Sequence, residues 1–264
     1  MEKLVIIPTY NEKENIQNII GAVIGLGQQY HVLIIDDNSP DGTAKIVKSL
    51  FAKYPGQLFL EERSGKLGLG TAYIFGFKWA IDKGYRFIFE MDADFSHSPK
   101  DLERLYGACK DGAGVAIGSR YVKGGAVQNW PADRILLSKG ASLYTQLITW
   151  MPVKDPTAGF VCYKREVLET INLDGISFVG YAFQIEMKFA AWKLGFKITE
   201  VPITFIDREL GASKMNKGII KEGVLGVLQL RWQSIFKNYR KKVTNTVYTN
   251  SVSFQQHEVL LERK

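Results

Sequence analysis

The chain has 264 residues, of which 46% are hydrophobic, enough to bury the core of one α/β domain without a second. Its two cysteines, Cys109 and Cys162, lack any metal-ligand spacing, which argues against a disulfide framework or a structural zinc site and suits a reducing cytoplasm. A formal charge of +7 favours anionic partners, whether nucleotides, nucleic acid or acidic lipid head groups, without choosing among them.

The stretch Lys3-Leu4-Val5-Ile6-Ile7 enters a strand at once, and no signal peptide is expected because the basic region, longer apolar stretch and cleavage site of one do not occur in sequence. Short β-branched runs then alternate with helical patterns: strands at 4–7, 32–35 and 87–89, helices at 15–26 and 44–51. That alternation predicts βαβ units and an α/β fold, a mostly parallel sheet flanked by helices. Asn11 followed by Glu14 reads as a capping box, Asp41 as an N-cap, and Ser98-Pro99 with Asp101 as a further helix start. Ligands of open parallel sheets bind beyond the carboxyl ends of the strands, so the loops at 8–12, 36–41 and 92–96 are expected to converge.

After about residue 120 the alternation gives way to Lys123-Gly124-Gly125, an amphipathic segment at 134–151 and a short strand near 160–163. This half is expected to build the acceptor side. Charges such as Lys221 and Glu222 interrupt the apolar segments, so no run reaches the roughly 18 uncharged residues of a spanning helix. The domain is expected to occupy residues 1–242, and the polar, aperiodic residues 243–264 to form a mobile tail.

Asp92-Ala93-Asp94 follows the apolar run at 87–91, which places two carboxylates at a strand's carboxyl end. Hard oxygen ligands there suit Mg²⁺ or Mn²⁺ completed by substrate phosphates, although an Asp-x-Asp also occurs as a solvated turn. Asp36 and Asp37 end a second strand, and adjacent carboxylates repel unless a donor or cation compensates. Two acidic strand ends in one sheet favour a nucleotide-phosphate site.

The motifs 6–12, Asp36 to Thr43 and Asp92-Ala93-Asp94, in that order, resemble those of family 2 glycosyltransferases. The similarity runs on through Gly118-Ser119-Arg120-Tyr121, Asn129-Trp130-Pro131, 155–160, 180–187, and Asp207-Arg208 through Ser213-Lys214, a later set resembling the dolichyl- and polyprenyl-phosphate mannosyltransferases. The resemblance implies a GT-A fold with amphipathic helices on the acceptor side, an inverting reaction, GDP-mannose as donor and a polyprenyl phosphate as acceptor. It implies that Pro8, Tyr10, Glu12, Asp37, Asp92, Ala93, Asp94 and Arg120 bind the nucleotide sugar, and that Asp92 and Asp94 serve the metal. Asp94, Arg120, Arg208 and Lys214 are then the expected catalytic residues, with Arg134, Ser138, Arg208 and Lys214 around the acceptor phosphate. Some relatives carry a glutamine where Ser96 stands, and His97 is read as a loop residue rather than a ligand. Gln184 and Glu186 are expected to help hold the donor or acceptor region.

A phosphate acceptor is already ionised near neutrality and needs cations rather than a general base, which suits Arg120, Arg134, Arg208 and Lys214. Residues 209–213 between the last two are small enough to close over bound phosphate. Segments 134–151 and 218–242 combine leucines with basic residues; each either meets a membrane surface and prenyl chain or packs on the core. A peripheral position on the cytoplasmic face of a membrane is expected, with room for a separate anchoring subunit. The alternatives are a family 2 transferase using a UDP-sugar and, remotely, a nucleic-acid-binding module. The latter needs basic residues interleaved with stacking aromatics, a pattern limited here to Tyr239 beside Arg240.

Overall fold

The computed structural model describes residues 1–180, 182–208 and 217–242, with side chains left aside at 217–222. Lys214, the loop 209–213 and the tail 243–264 therefore lie outside the described residues.

Nine strands and eight α-helices are described: β1 (Lys3–Thr9), α1 (Ile16–Ile24), β2 (Tyr30–Asp36), α2 (Thr43–Ser49), β3 (Leu58–Glu62), α3 (Leu69–Asp82), β4 (Phe87–Glu90), α4 (Asp101–Lys110), β5 (Val115–Ser119), β6 (Ala126–Gln128), α5 (Ala132–Thr149), β7 (Val161–Lys164), α6 (Arg165–Thr170), α7 (Ala182–Lys193), β8 (Ile198–Pro202), β9 (Thr204–Ile206) and α8 (Lys217–Gln233). Seven strands form one sheet in the order β3-β2-β1-β4-β7-β5-β8, and β6 pairs with β9 in a small second sheet. Only β7 runs antiparallel, to both β4 and β5. The α/β class and the mostly parallel sheet read from the sequence are thus observed.

Both faces of the sheet are covered, which is why β1, β2 and β4 read as nearly continuous apolar runs. Alternate residues of β1 feed two cores: Leu4 and Ile6 one, Val5 and Ile7 the other, all fully buried. Each such side chain contributes about 1.5–3 kcal/mol when removed from water. Helix α3 lies directly on β1 and β2 because Gly76 has no side chain; a Cβ there would stand 2.9 Å from Ile6 and Ile35.

The capping box at Asn11 and Glu14 does not form. Helix α1 begins at Ile16 without a side-chain cap, and Asn11 takes a left-handed φ of 59° instead. Loop stitching claims that segment: the backbone N–H groups of Asn11, Glu12 and Lys13 donate to Ser39 Oγ, Thr43 Oγ1 and Asp41 Oδ2. Asp41 is not the N-cap of α2 either: that position is Gly42, at φ 90° and without a side-chain cap, and the Asp41 carboxylate from one residue earlier accepts from Thr43 N at 3.0 Å and Thr43 Oγ1 at 2.6 Å. Helix α4 starts at Asp101, where Ser98 contributes its backbone carbonyl rather than a side-chain cap.

Candidate active site

The carboxyl ends of β1, β2, β4 and β5 open onto a cleft of about 480 Å³. Pro8, Tyr10, Glu12, Asp37, Asp92, Ala93, Asp94, Arg120, Arg134 and Arg208 all line it, so residues from five strand ends and from α5 meet in one place. Ser138 stands one turn beyond Arg134 on α5, outside the lining, where it accepts a hydrogen bond from Tyr121 Oη at 2.7 Å. Glu186 is also outside the lining: its carboxylate accepts from Ser177 N, Phe178 N and Lys237 Nζ, and so ties α7 to the chain after α8.

The adjacent aspartates resolve their repulsion by taking different partners. Asp36 turns away from the cleft, is fully buried, and accepts from Thr9 Oγ1, Ser39 N and Ser39 Oγ at 2.6–2.8 Å. Asp37 faces the cleft and pairs with Arg63 at 2.6 Å. The register of β2 on β3 dictates that pairing, because Asp36 lies opposite Glu62 and each chain runs on by one residue. Arg63 and Lys66, the latter 5.1 Å from the Tyr10 ring, were not singled out from the sequence.

Asp94 leaves β4 through a strained step. Phe95 adopts φ 59°, a conformation costly for a bulky residue and found where a side chain must be aimed. Asp94 Oδ1 accepts from Ser96 N at 3.0 Å and Ser96 Oγ at 2.5 Å, while Oδ2 pairs with Arg208 at 2.8 Å. Among the described residues no three His, Cys, Asp or Glu side chains stand close enough to hold an ion. Two carboxylates, those of Asp92 and Asp94, do line the cleft. That sparse hard-oxygen set fits a Mg²⁺ or Mn²⁺ whose other ligands are diphosphate and water.

The cations sit in well-defined settings. Arg120 donates from N, Nε and Nη2 to the buried Asp155 at 2.6–3.0 Å and from Nη2 to Thr157 Oγ1 at 2.9 Å. Burial alone would raise the Asp155 carboxyl, but the hydrogen bonds and charge of Arg120 outweigh it and hold it below its ordinary 3.8. Arg134 stacks 4.0 Å over the Trp130 ring and pairs with Asp207 at 3.0 Å. His97 is buried between Phe160 and Phe205, and burial, aided by the Arg120 charge, lowers it from 6.5 to about 4. It is therefore neutral at physiological pH.

Beneath the cleft lies a polar layer formed by Glu90 and Lys188, both fully buried. Burial pushes the Glu90 carboxyl up to about 8 against the pull of Lys188, and brings Lys188 down to about 8.

Two helices beside the cleft are built in an unusual sense. In α5 the buried positions are Ser142, Thr145 and Thr149, whereas Leu136, Leu143, Leu147 and the following Trp150 are more than half exposed. The two threonine hydroxyls donate to carbonyls one turn back, so they bury without a penalty. In α8, Val227 and Leu230 supply the packing, leaving Val224, Leu225 and Leu228 about half exposed, with Trp232, Ile235 and Phe236 beyond. Tyr144 Oη donates to Val224 O and Arg231 lies 4.3 Å over Trp150, so the two apolar faces adjoin. Tyr239, beside Arg240, is buried against Phe189 and offers no face for a base to stack on. Among the described residues no helix is long and apolar enough to cross a membrane.

A family model, "Glycosyl transferase family 2", matches residues 4–171. The chain is 47% identical over 226 residues to a polyprenol monophosphomannose synthase of Mycolicibacterium smegmatis, covering 86% of this chain and 85% of that one. It is 44% identical over 239 residues to an undecaprenyl-phosphate mannosyltransferase of Micrococcus luteus, covering 89% and 98%. Among solved structures it matches glucosyl-3-phosphoglycerate synthase from Mycobacterium tuberculosis with phosphoglyceric acid, at a TM-score of 0.65 and 16% identity over 87% of this chain and 79% of that one. The same protein with Mn²⁺, UDP and phosphoglyceric acid matches at 0.64 and 16%, over 87% and 78%. At that identity these structures speak to the fold, which is theirs.

Proposed function

The chain belongs to glycosyl transferase family 2 and is a glycosyltransferase; from that premise we propose that it transfers mannose from GDP-mannose to a polyprenyl phosphate, inverting the anomeric carbon and releasing GDP. The names of its two relatives support the sugar and the acceptor class. The observation that carries the lipid reading is α5, which begins at the cleft with Arg134 and runs outward with its leucines facing away from the protein.

In this reading Pro8, Tyr10, Glu12 and Asp37 hold the nucleoside and Asp92 and Asp94 hold Mg²⁺ or Mn²⁺. When bound, such an ion supplies neutralisation of the leaving diphosphate. Arg120, Arg134, Arg208 and Lys214 offset the repulsion between acceptor phosphate and donor diphosphate, so that two anions can approach. The acceptor oxygen needs no base, because a phosphate monoester is ionised at neutral pH. Domain bounds of 1–242, with 243–264 as a tail, belong to the same proposal.

The deciding experiment incubates the protein with Mn²⁺, polyprenyl phosphate and, separately, radiolabelled GDP-mannose, UDP-glucose and UDP-N-acetylglucosamine. Label is expected in the organic phase from GDP-mannose alone. Label only on water-soluble products would sink the lipid acceptor, and transfer from a UDP-sugar alone would sink the donor.

The peripheral-membrane part has its own test. Exposed apolar groups of α5 and α8, with the exposed basic residues Arg240, Lys241 and Lys242 close behind, suit an anionic bilayer surface. Leu147→Ser combined with Phe236→Ser is expected to lower partitioning onto phosphatidylglycerol vesicles roughly 10-fold, since partial insertion of each side chain is worth about 0.7 kcal/mol. The melting temperature should hardly move, because both positions are exposed. Unchanged sedimentation with vesicles would remove these helices from the membrane-facing surface.

A further inference from the structure

Gln184 is 3% exposed and lines the cleft; its Nε2 group stands beside the buried Glu90 carboxyl, which its hydrogen bond helps to hold down, and this leaves the second of its two hydrogens without a partner. An unpaired buried amide N–H costs about 1–3 kcal/mol, so the arrangement invites a ligand acceptor. Which end of the amide faces the cleft is fixed chemically. Lys188 Nζ donates to Gln184 Oε1 at 3.0 Å, to Gln184 O at 3.0 Å and to Ala158 O at 2.7 Å, using all three ammonium hydrogens. An ammonium can only donate, so Oε1 faces it and Nε2 is turned the other way.

The space beside Nε2 is cleared by a glycine. A Cβ built on Gly159 would stand 3.9 Å from Gln184 Nε2 and 4.0 Å from Asp92 Oδ2, and all three residues line the cleft. One wall of this space is an N–H donor and the other a carboxylate. The carboxylate and an ionised phosphate oxygen can each only accept, whereas a hydroxyl can accept from Nε2 and donate to Asp92. Lys188 holds both the amide and the Ala158 carbonyl next to Gly159, so one buried cation sets the shape of the whole gap.

We propose that Gln184 hydrogen-bonds a hydroxyl of the hexose being transferred, that Lys188 is the positioning residue that aims it, and that residue 159 is glycine because the sugar ring occupies its side-chain space. This rests on the nucleotide-sugar reading above and deepens it, assigning recognition of the sugar, as distinct from the nucleotide, to α7 and the 158–159 segment.

The test is a cycle of variants against donors. Gln184→Glu keeps the volume and the acceptor for Lys188 but removes the amide donor, and because it sets a carboxyl beside the buried Glu90 its melting temperature is measured alongside. It is expected to lower kcat/KM for the sugar nucleotide about 10–100-fold while the inhibition constant of GDP stays within about 2-fold. Among 2-, 3-, 4- and 6-deoxy-mannose donors, one should cost the wild type a similar factor and cost Gln184→Glu little more, since both changes remove one interaction. Lys188→Met should reproduce the pattern with GDP inhibition again unchanged, a separation that general loosening of the site would not produce; if that variant does not fold, Gln184→Glu carries the test. Equal loss of GDP and donor affinity in Gln184→Glu, or full penalties for every deoxy donor in that variant, would overturn the assignment. Failure of the functional reading looks different: the wild type transfers no mannose, and the same cycle is run with the UDP-hexose it does transfer.

Discussion

Asp94→Asn will lower transfer to lipid phosphate by at least about 10³-fold while leaving the fold intact. Asn is isosteric and still accepts from Ser96 N, which in the native chain donates to Asp94 at 3.0 Å. What disappears is the negative charge at the strand end, which pairs with Arg208 and on which the proposed divalent cation depends. The Arg208 side chain is 25% exposed, so losing that ion pair should cost under about 1 kcal/mol. Its effect on the reaction is of a different order, because charge developing on a leaving diphosphate must be met by groups already in place.

Two measurements separate these effects. The melting temperature of Asp94→Asn should lie within about 3 °C of wild type, and the extra stabilisation that Mn²⁺ confers on the GDP complex should vanish. Transfer by Asp94→Asn within 10-fold of wild type would remove this carboxylate from the reaction. A collapse of the melting temperature would instead make Asp94 a structural anchor of the strained Phe95 turn.

Sequence periodicity located the strands whose neighbours on both faces are apolar, since β1, β2 and β4 contain the runs at 4–7, 32–35 and 87–89. It passed over α7, and the reason is physical. Ten consecutive residues of that helix, Ala182 to Ala191, are buried, so no polar stripe alternates with an apolar one. Buried Gln184, Glu186 and Lys188 further disguise it as polar chain. In α5 the amphipathic pattern was legible but its sense was not, because Ser142, Thr145 and Thr149 face inward and the leucines outward. A moment gives the direction of the apolar stripe and leaves open whether protein or something else covers it.

The cleft shows the same division. Acidic residues at strand ends announce themselves, since topology alone brings those ends together. Their partners do not: Arg63 reaches Asp37 through the β2–β3 register, and Asp155 reaches Arg120 across 35 residues. Long-range ion pairs leave no local spacing to read. Gly159 likewise looks like any loop glycine until the chain places Gln184 and Asp92 about 4 Å from its missing side chain.

Asp155→Asn is expected to be the most destabilising single change near the cleft, at about 3 kcal/mol, or roughly 6–12 °C in melting temperature for a domain of this size. The carboxylate is fully buried and accepts three hydrogen bonds from Arg120, which is itself 8% exposed. Removing one partner leaves the other charge buried and under-compensated. The pH dependence identifies the cause. Asp155 titrates below its ordinary 3.8 in the folded chain, so its contribution is complete above that value and is lost as pH falls through the lower, folded one. His97 acts in a different window: its folded value near 4 lies below the ordinary 6.5, so the unfolded chain binds the extra proton and stability falls between those limits. Down to about pH 4 that loss is shared by wild type and variant, because the Asp155 charge acts on His97 only at its folded end, which the substitution lowers further. The gap in melting temperature between them should therefore stay constant from pH 7 to about 4, while both proteins weaken, and should close only below. A gap that narrows across pH 6.5 to 4.5, or one smaller than about 2 °C at pH 7, would mean that the Asp155 carboxylate is not what holds Arg120 at the mouth of β5.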